Sequence, residues 1–290
     1  MLYPTAQDWY DAKHKRVLLF AMSGLGKTHV SAAMRDAGNW FHYSVDYRIG
    51  TRYMGELIVD NFKKEAMRNP FLRDLLMSDS LYIASNITFE NLAPLSTYLG
   101  KPGNPDKGGL AIEEYKKRQA QHHLAEVAAL MDTTRFIERA QDLYGYDNFI
   151  CDTSGSICEV VDPLDPHDPV LNELSRNLQL VWIKGSDAHT AELVRRFDRA
   201  PKPMCYQPAF LEGAWAEYLA LKKVSEAQVD PDDFVRWTYA RALAHRQPIY
   251  AAMAENWGIT VDAGDMAGVQ TPDDLTRVIG AALEHRDTTG

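Results

Sequence analysis

The stretch FAMSGLGKTHV, residues 20–30, joins an apolar run to a helical pattern through a short glycine-containing turn. The apolar run at 17–22 has the length and composition of a buried strand, and the pattern at 27–37 predicts a helix that ends at Gly38. A strand that leads directly into a helix is the repeating unit of α/β folds. We therefore predict an α/β protein organised around this turn.

Four further apolar runs predict strands, because each is short and is followed by a polar or glycine-containing turn. They lie at 40–45, 148–151, 178–183 and 258–261. Helical patterns occupy later intervals, at 188–197, 208–224, 231–256 and 272–285. This alternation predicts a parallel five-stranded sheet with helices on both faces.

The interval between the second and third predicted strands is about a hundred residues long, several times the length that a crossover connection needs. It contains a loop rich in proline and glycine at 98–110, followed by a long amphipathic helical pattern at 111–131. We predict a core formed by 1–50 and 148–290, with a lid near 185–205. The helical insert, 51–147, is predicted to bind a substrate or a partner.

The composition indicates a globular, cytoplasmic protein with a formal net charge of −9 and a hydrophobic share of 46%. The acidic balance argues against nucleic acid as a partner, since a phosphate backbone attracts basic surfaces. No run of about 18 apolar residues occurs, so we expect no membrane-spanning helix.

The cysteine and histidine spacings predict neither a zinc knuckle nor a metal site formed by two adjacent histidines. Cys151, Cys158 and Cys205 lack a Cys-x-x-Cys spacing, which indicates reduced thiols rather than a disulfide framework or a zinc knuckle. His122 and His123 are adjacent on the long predicted helix, so they face different directions and cannot chelate one ion together.

The glycine turn lies one residue away from the pattern G-x-x-x-x-G-K-[ST], because Ala21 holds the place of the first glycine. In that pattern backbone N–H groups face phosphate oxygens, the lysine meets the β- and γ-phosphates, and the hydroxyl ligates Mg²⁺. We predict ATP and Mg²⁺ here, and expect a solvent-exposed Lys27 ammonium when no nucleotide is bound. An ordinary strand-to-helix turn is the alternative. The predicted cofactor-binding residues are Ser23, Gly24, Leu25, Gly26, Lys27 and Thr28.

The segment NFICDTSGS, residues 148–156, places Asp152 at the end of the third predicted strand. An acidic residue at this place holds Mg²⁺ in phosphate-loop proteins, so Thr28 and Asp152 are the predicted metal residues. The alternative is an aspartate that caps the next turn.

Hydrolytic motor ATPases usually carry a glutamate directly after the aspartate at this position to activate water, whereas Thr153 follows Asp152 here. The sequence therefore favours transfer to an acceptor over hydrolysis.

These segments resemble the phosphate-loop small-molecule kinases, the group that includes shikimate kinase and adenylate kinase. The likeness rests on SGLGKT, FHYSVDYR, DTSGS and ELVRRFDRAPKP, and leaves the insert unmatched. It implies that Asp46 orients or deprotonates the acceptor hydroxyl, and that Arg48 and Arg52 hold an anionic group of the substrate. A helix N-cap at Asp46 and a solvated helix face for both arginines are the alternatives.

The resemblance implies three further contacts. The turn after the third strand touches the acceptor, arginines of the lid close over the transferring phosphoryl group, and a loop after the fifth strand passes the adenine. The residues at these places are Ser154 and Gly155, then Arg195, Arg196 and Arg199, and then Asp262 and Gly264. For the arginines, the alternative is a basic surface turn that pairs with Glu192 and Asp198.

The predicted function is that of an ATP-dependent phosphotransferase, a kinase acting on a small hydroxylated, anionic metabolite or nucleotide. The predicted catalytic residues are Lys27, Asp46, Asp152, Arg195 and Arg199. The alternative is an ATPase or nucleotide-driven switch in which 51–147 binds a protein partner.

Overall fold

Five parallel strands form the sheet in this computed structural model, which describes residues 1–289. The strands are β1 (Arg16–Phe20), β2 (Trp40–Ser44), β3 (Asn148–Asp152), β4 (Gln179–Lys184) and β5 (Gly258–Asp262). The predicted α/β class and the five-stranded parallel sheet are confirmed, with strand boundaries that differ from the predicted ones by one or two residues.

The strand order is β2-β3-β1-β4-β5, so β1 is the central strand. Val17 pairs with Ile150 of β3 on one side and with Gln179 of β4 on the other. Residues 17–20 are fully buried, as expected for a strand covered on both faces. The chain builds one side of the sheet before the other, so the topology switches at β1. Ligands of open α/β sheets bind at the carboxyl ends of the strands at such a switch point.

Helices occupy most of the remaining chain within residues 1–289. They are α1 (Ala6–Asp11), α2 (Lys27–Asp36), α3 (Val45–Arg48), α4 (Gly55–Ala66), α5 (Pro70–Met77), α6 (Ala93–Leu99), α7 (Ile112–Met131), α8 (Thr133–Tyr144), α9 (Pro169–Asn177), α10 (Asp187–Arg199), α11 (Pro208–Lys222), α12 (Pro231–Trp257), α13 (Ala263–Ala267) and α14 (Pro272–Thr289). A π-helix spans Ile49–Tyr53, and single 3₁₀ turns lie at Pro105–Lys107, Ile157–Glu159 and Glu226–Gln228. None of the helices in this described part is long and apolar enough to cross a membrane.

Local signals in the sequence account for several helix boundaries. Gly38 follows α2 with a φ of +87°, a left-handed conformation that favours glycine after a helix C-terminus. Pro169 and Pro208 occupy the first positions of α9 and α11, where the missing N–H costs no hydrogen bond.

The chain divides into two compact units. The first contains Met1–Val45, Val127–Ala200 and the described residues from Arg236 onward, and includes the whole sheet. The second contains Asp46–Glu126 and Pro201–Val235. Within the second unit, the backbone N–H of Asn104 donates to the carbonyl of Val229 at 2.8 Å. The second unit therefore combines two separate stretches of chain.

Candidate active site

The glycine turn at 21–28 leaves β1 and opens α2. Gly24 and Gly26 have φ values of +91° and +92°, a region in which a side chain is strained. A Cβ atom on Gly24 would also lie 2.9 Å from the Cδ2 atom of Leu193 on α10. Ala21 is fully buried, and its φ lies outside this left-handed region. Alanine therefore fits at the first position, whereas the two later glycines are required by the backbone.

Lys27 is buried, so the predicted solvent-exposed ammonium was wrong. Its exposed fraction is 7%, and Nζ donates to the carbonyl oxygens of Ala21 and Met22 at 2.8 and 3.2 Å. A buried ammonium group needs acceptors to offset its lost hydration, and the turn itself supplies two. The cation is thus held against the first two residues of the turn.

Asp152 connects the glycine turn with β2. Its Oδ2 atom accepts a hydrogen bond from Oγ1 of Thr28 at 2.7 Å, and its Oδ1 atom lies 3.0 Å from Nε2 of His42. The structure therefore brings together Thr28 and Asp152, the two predicted metal residues, across 124 residues of sequence. Their donors are both oxygen atoms, which are the ligands that Mg²⁺ prefers. This donor set fits the predicted cation.

His42 was not predicted from the sequence as part of this site. Its side chain is almost completely buried beside Asp152. A histidine within the apolar strand segment WFHYS is the only local signal, because its bonding partner lies on another strand. The imidazole orients the carboxylate of Asp152, so that its second oxygen meets Thr28.

The turn after β3 packs against the glycine turn. A Cβ atom on Gly155 would lie 2.6 Å from Oγ of Ser23, so glycine permits this close approach. The hydroxyls of Ser154 and Ser156 are 3.1 Å apart and buried. Gly155 and Ser154 therefore lie beside the glycine turn, while their predicted contact with an acceptor stays a prediction.

A buried ion pair outside the predicted motifs supports the same turn. Nε of Arg246 on α12 donates to Oε1 of Glu159 at 2.5 Å, and Nη1 donates to the carbonyl of Gly155 at 3.1 Å. The hydroxyl of Tyr250 donates to that carbonyl at 2.6 Å. Burial lowers the pKa of Arg246, but the charge and hydrogen bond of Glu159, together with the electrostatic effects of Cys158 and Tyr250, raise it by more in sum, so its pKa lies above the ordinary value. The guanidinium therefore remains charged and holds the turn in place.

Arg246→Met is expected to reduce the free energy of unfolding by about 3–5 kcal/mol, because it leaves the buried carboxylate of Glu159 without its guanidinium partner. Urea denaturation measures the change. Arg241→Met is the matched control, since Arg241 is exposed on the same helix, and the loss of its stacking on Trp237 should change stability by less than about 1 kcal/mol.

The double variant Arg246→Met/Glu159→Gln should be more stable than Arg246→Met alone, because the buried charge is then also removed. A loss below about 1 kcal/mol in Arg246→Met would contradict the structural role of this pair.

The three arginines of the predicted lid lie on the exposed surface of α10. Nε of Arg196 donates to Oε1 of Glu192 at 2.8 Å, and Arg195 bonds to the other oxygen of that carboxylate. The hydrogen bond from Arg196, together with the charges of Arg195 and Arg199, lowers the pKa of Glu192. The pairing with Glu192 is thus present, and the role of the arginines toward a phosphoryl group stays a prediction.

The predicted acceptor residues lie at the start of the second unit. Asp46 is half-buried and lies in the first turn of α3. It is therefore not the N-cap residue, which would precede the helix. Cζ of Arg48 lies 5.6 Å from the ring centroid of Tyr53. Arg52 is exposed in the π-helix and lines a cavity of about 630 Å³. Such single-turn π segments often occur at functional sites.

The predicted adenine contacts lie at the carboxyl end of β5. Asp262 pairs in register with Lys184, and both line a cavity of about 610 Å³ together with Arg277 and His285. Gly264 lies in α13, and a Cβ atom added there would meet no other atom within 4 Å. Their contact with adenine stays a prediction.

Comparison with known proteins adds little to this geometry. No protein-family model matches the sequence, and no curated protein sequence matches it. A search of solved structures finds shikimate kinase from Bacteroides thetaiotaomicron, at 14% sequence identity and a TM-score of 0.35. The similarity covers 94% of this chain and 97% of that chain. It is too distant to assign a family or an activity.

Proposed function

We propose that the chain is an ATP-dependent phosphotransferase acting on a small hydroxylated, anionic metabolite or nucleotide. The observation that carries this proposal is the hydrogen bond between Thr28 and Asp152, beside the buried ammonium of Lys27. Phosphoryl transfer requires positioning and positive charge more than covalent chemistry. This cluster supplies both at the carboxyl ends of β1 and β3.

The triphosphate would bind the glycine turn. The N-terminus of α2 presents backbone N–H groups and the positive end of a helix dipole, which attract anions. Lys27 would exchange its carbonyl acceptors at Ala21 and Met22 for phosphate oxygens. Thr28 and Asp152 would hold Mg²⁺, which when bound neutralises charge on the phosphates.

The residues after Asp152 favour an alcohol acceptor over water. Thr153 is buried, and its hydroxyl donates to the carbonyl of Leu19 at 3.1 Å, so it does not replace the catalytic glutamate of motor ATPases. The nearby carboxylate of Glu159 is bonded to Arg246. In the transfer reaction, we assign Asp46 as the general base that accepts the proton of the acceptor hydroxyl group.

The acceptor pocket is assigned to the cavity of about 630 Å³ in the second unit. This volume lies within the range of small-molecule sites. Arg52 and Lys63 on its wall offer N–H donors to a carboxylate or phosphate group. The other polar residues that line it include Thr51, Glu56, Asp60 and Ser85.

A nucleotide-driven switch is the second candidate, and exposed apolar side chains in the second unit favour it. Phe71 and Met77 of α5 are 71% and 74% exposed, and Tyr82 is 87% exposed. Large exposed apolar surfaces are typical of protein-binding sites. In this alternative the second unit would bind a protein partner.

One experiment separates the two candidates. ADP release is measured with and without a pool of hydroxylated carboxylates, sugar phosphates and nucleosides, and products are analysed by mass spectrometry. A phosphotransferase should release ADP in proportion to a product that gains one phosphoryl group. Release of ADP and inorganic phosphate at a rate independent of the pool would overturn the proposal in favour of the ATPase.

Thr28→Ala is expected to raise the Mg²⁺ concentration for half-maximal turnover by about tenfold, because one oxygen ligand is lost while Asp152 remains. Titration of Mg²⁺ at saturating ATP measures this shift. Thr28→Ser is the matched control, since it retains the hydroxyl group and should titrate like the unmodified chain. An unchanged titration in Thr28→Ala would contradict the metal role.

A further inference from the structure

A buried cluster of three different side chains lies within the second unit. His122 and Glu126 belong to α7, and Cys205 lies in the segment before α11. One nitrogen, oxygen or sulfur atom from each of the three lies within 4.8 Å of the others. Nδ1 of His122 is 3.6 Å from Oε2 of Glu126, and all three residues are buried.

The backbone around Cys205 is held against the same face of α7. The hydroxyl of Tyr115 donates to the carbonyl of Met204 at 2.7 Å, and Nε2 of Gln119 donates to it at 3.0 Å. Oε1 of Gln119 accepts from the N–H of Tyr206 at 2.9 Å. These bonds hold both neighbours of Cys205 against α7.

The side of α7 that contacts Met204 and Tyr206 also carries two residues of the cluster. Positions 115, 119, 122 and 126 are separated by three or four residues, so they share one side of α7. Tyr115 and Gln119 therefore bind the segment 204–206, and His122 and Glu126 follow on the same side. The cluster is preorganised by these contacts.

We propose that His122, Glu126 and Cys205 bind one transition-metal ion with the ligand preferences of Zn²⁺. Imidazole nitrogen, thiolate sulfur and carboxylate oxygen are all Zn²⁺ ligands, whereas Mg²⁺ and Ca²⁺ prefer oxygen alone. Zn²⁺ bonds of about 2.0–2.3 Å in a tetrahedron separate ligand atoms by about 3.4–3.6 Å. The His122–Glu126 separation of 3.6 Å meets this requirement. A fourth position is left for water or another group.

Burial puts a free-energy cost on the polar groups of this cluster. The side chain of Glu126 is completely buried, and a buried carboxylate is costly unless charge compensates it. Nδ1 of His122 is buried without a hydrogen-bond partner among the described residues. At 3.6 Å it is too far from Glu126 for a hydrogen bond. A metal ion would coordinate this nitrogen of His122.

The test uses the full chain, stripped of metal with a chelator under reducing conditions and then titrated with Co²⁺ in the absence of nucleotide. We expect one equivalent to bind with a thiolate-to-cobalt charge-transfer absorption, and Zn²⁺ to displace it. Cys205→Ser and His122→Gln should lose this absorption. His123→Gln should retain it, because the neighbouring histidine of α7 is outside the ligand set and serves as the matched control.

Two results would overturn the site: Co²⁺ binding without the charge-transfer absorption, or an absorption that persists in Cys205→Ser. Circular dichroism establishes that each variant folds. If Cys205→Ser does not fold, His122→Gln and Glu126→Gln decide the result, since both retain polar side chains of similar size. Unchanged metal binding in those two variants would then reject the assignment. Because no nucleotide is present, the result is independent of the proposed phosphotransferase.

Discussion

Lys27→Ala is expected to lower ATP turnover by about 10²–10³-fold or more, because the variant loses the cation that is proposed to meet the β- and γ-phosphates. The effect is large because the ammonium is already held at the glycine turn by the carbonyls of Ala21 and Met22. A coupled assay of ADP release at saturating Mg²⁺ measures the loss.

The same substitution is expected to cost some stability, because those two carbonyls lose their donor. About 1–3 kcal/mol is expected for buried groups that lose a hydrogen bond, so urea denaturation must accompany the assay. Lys13→Ala is the matched control, since Lys13 is exposed in the same unit. A folded Lys27→Ala variant with normal turnover would remove the basis for assigning ATP to this turn.

Asp46→Asn is expected to lower the acceptor-dependent rate by about 10²–10⁴-fold, which is the usual contribution of general-base assistance. ATP affinity should stay near normal, because the predicted nucleotide contacts belong to the glycine turn and Asp46 lies in α3. Nucleotide titration and phosphoryl-transfer assays together measure the two effects.

The alternative role of Asp46 gives a different result. As an acidic residue in the first turn of α3, it interacts with the helix dipole by about 0.3–1 kcal/mol, and the asparagine variant would lose only this amount. Asp36→Asn, at an exposed aspartate of α2, is the control for a general charge effect. Normal transfer in Asp46→Asn, or joint loss of folding and ATP binding, would defeat its assignment as the base.

The sequence alone determined the five strands and the glycine turn, because each depends on neighbouring residues. A buried parallel strand is a continuous apolar run, and the left-handed conformations of Gly24 and Gly26 mark the turn locally. The proximity of Thr28 and Asp152 also followed from the sequence, since Asp152 ends β3 and Thr28 follows the turn after β1 in the same parallel sheet.

Only the tertiary structure decided the partners of three other polar residues. His42 lies in a strand, Arg246 in a helix and Cys205 in a loop. The local sequence pattern of each segment predicts its secondary structure but does not identify the partner of the side chain. The partners of these residues are separated from them by long stretches of chain, and burial makes those partners necessary. The sequence also did not predict that 201–235 and 46–126 belong to one compact unit. That grouping depends on packing between the two segments and not on the hydrophobic periodicity within either segment.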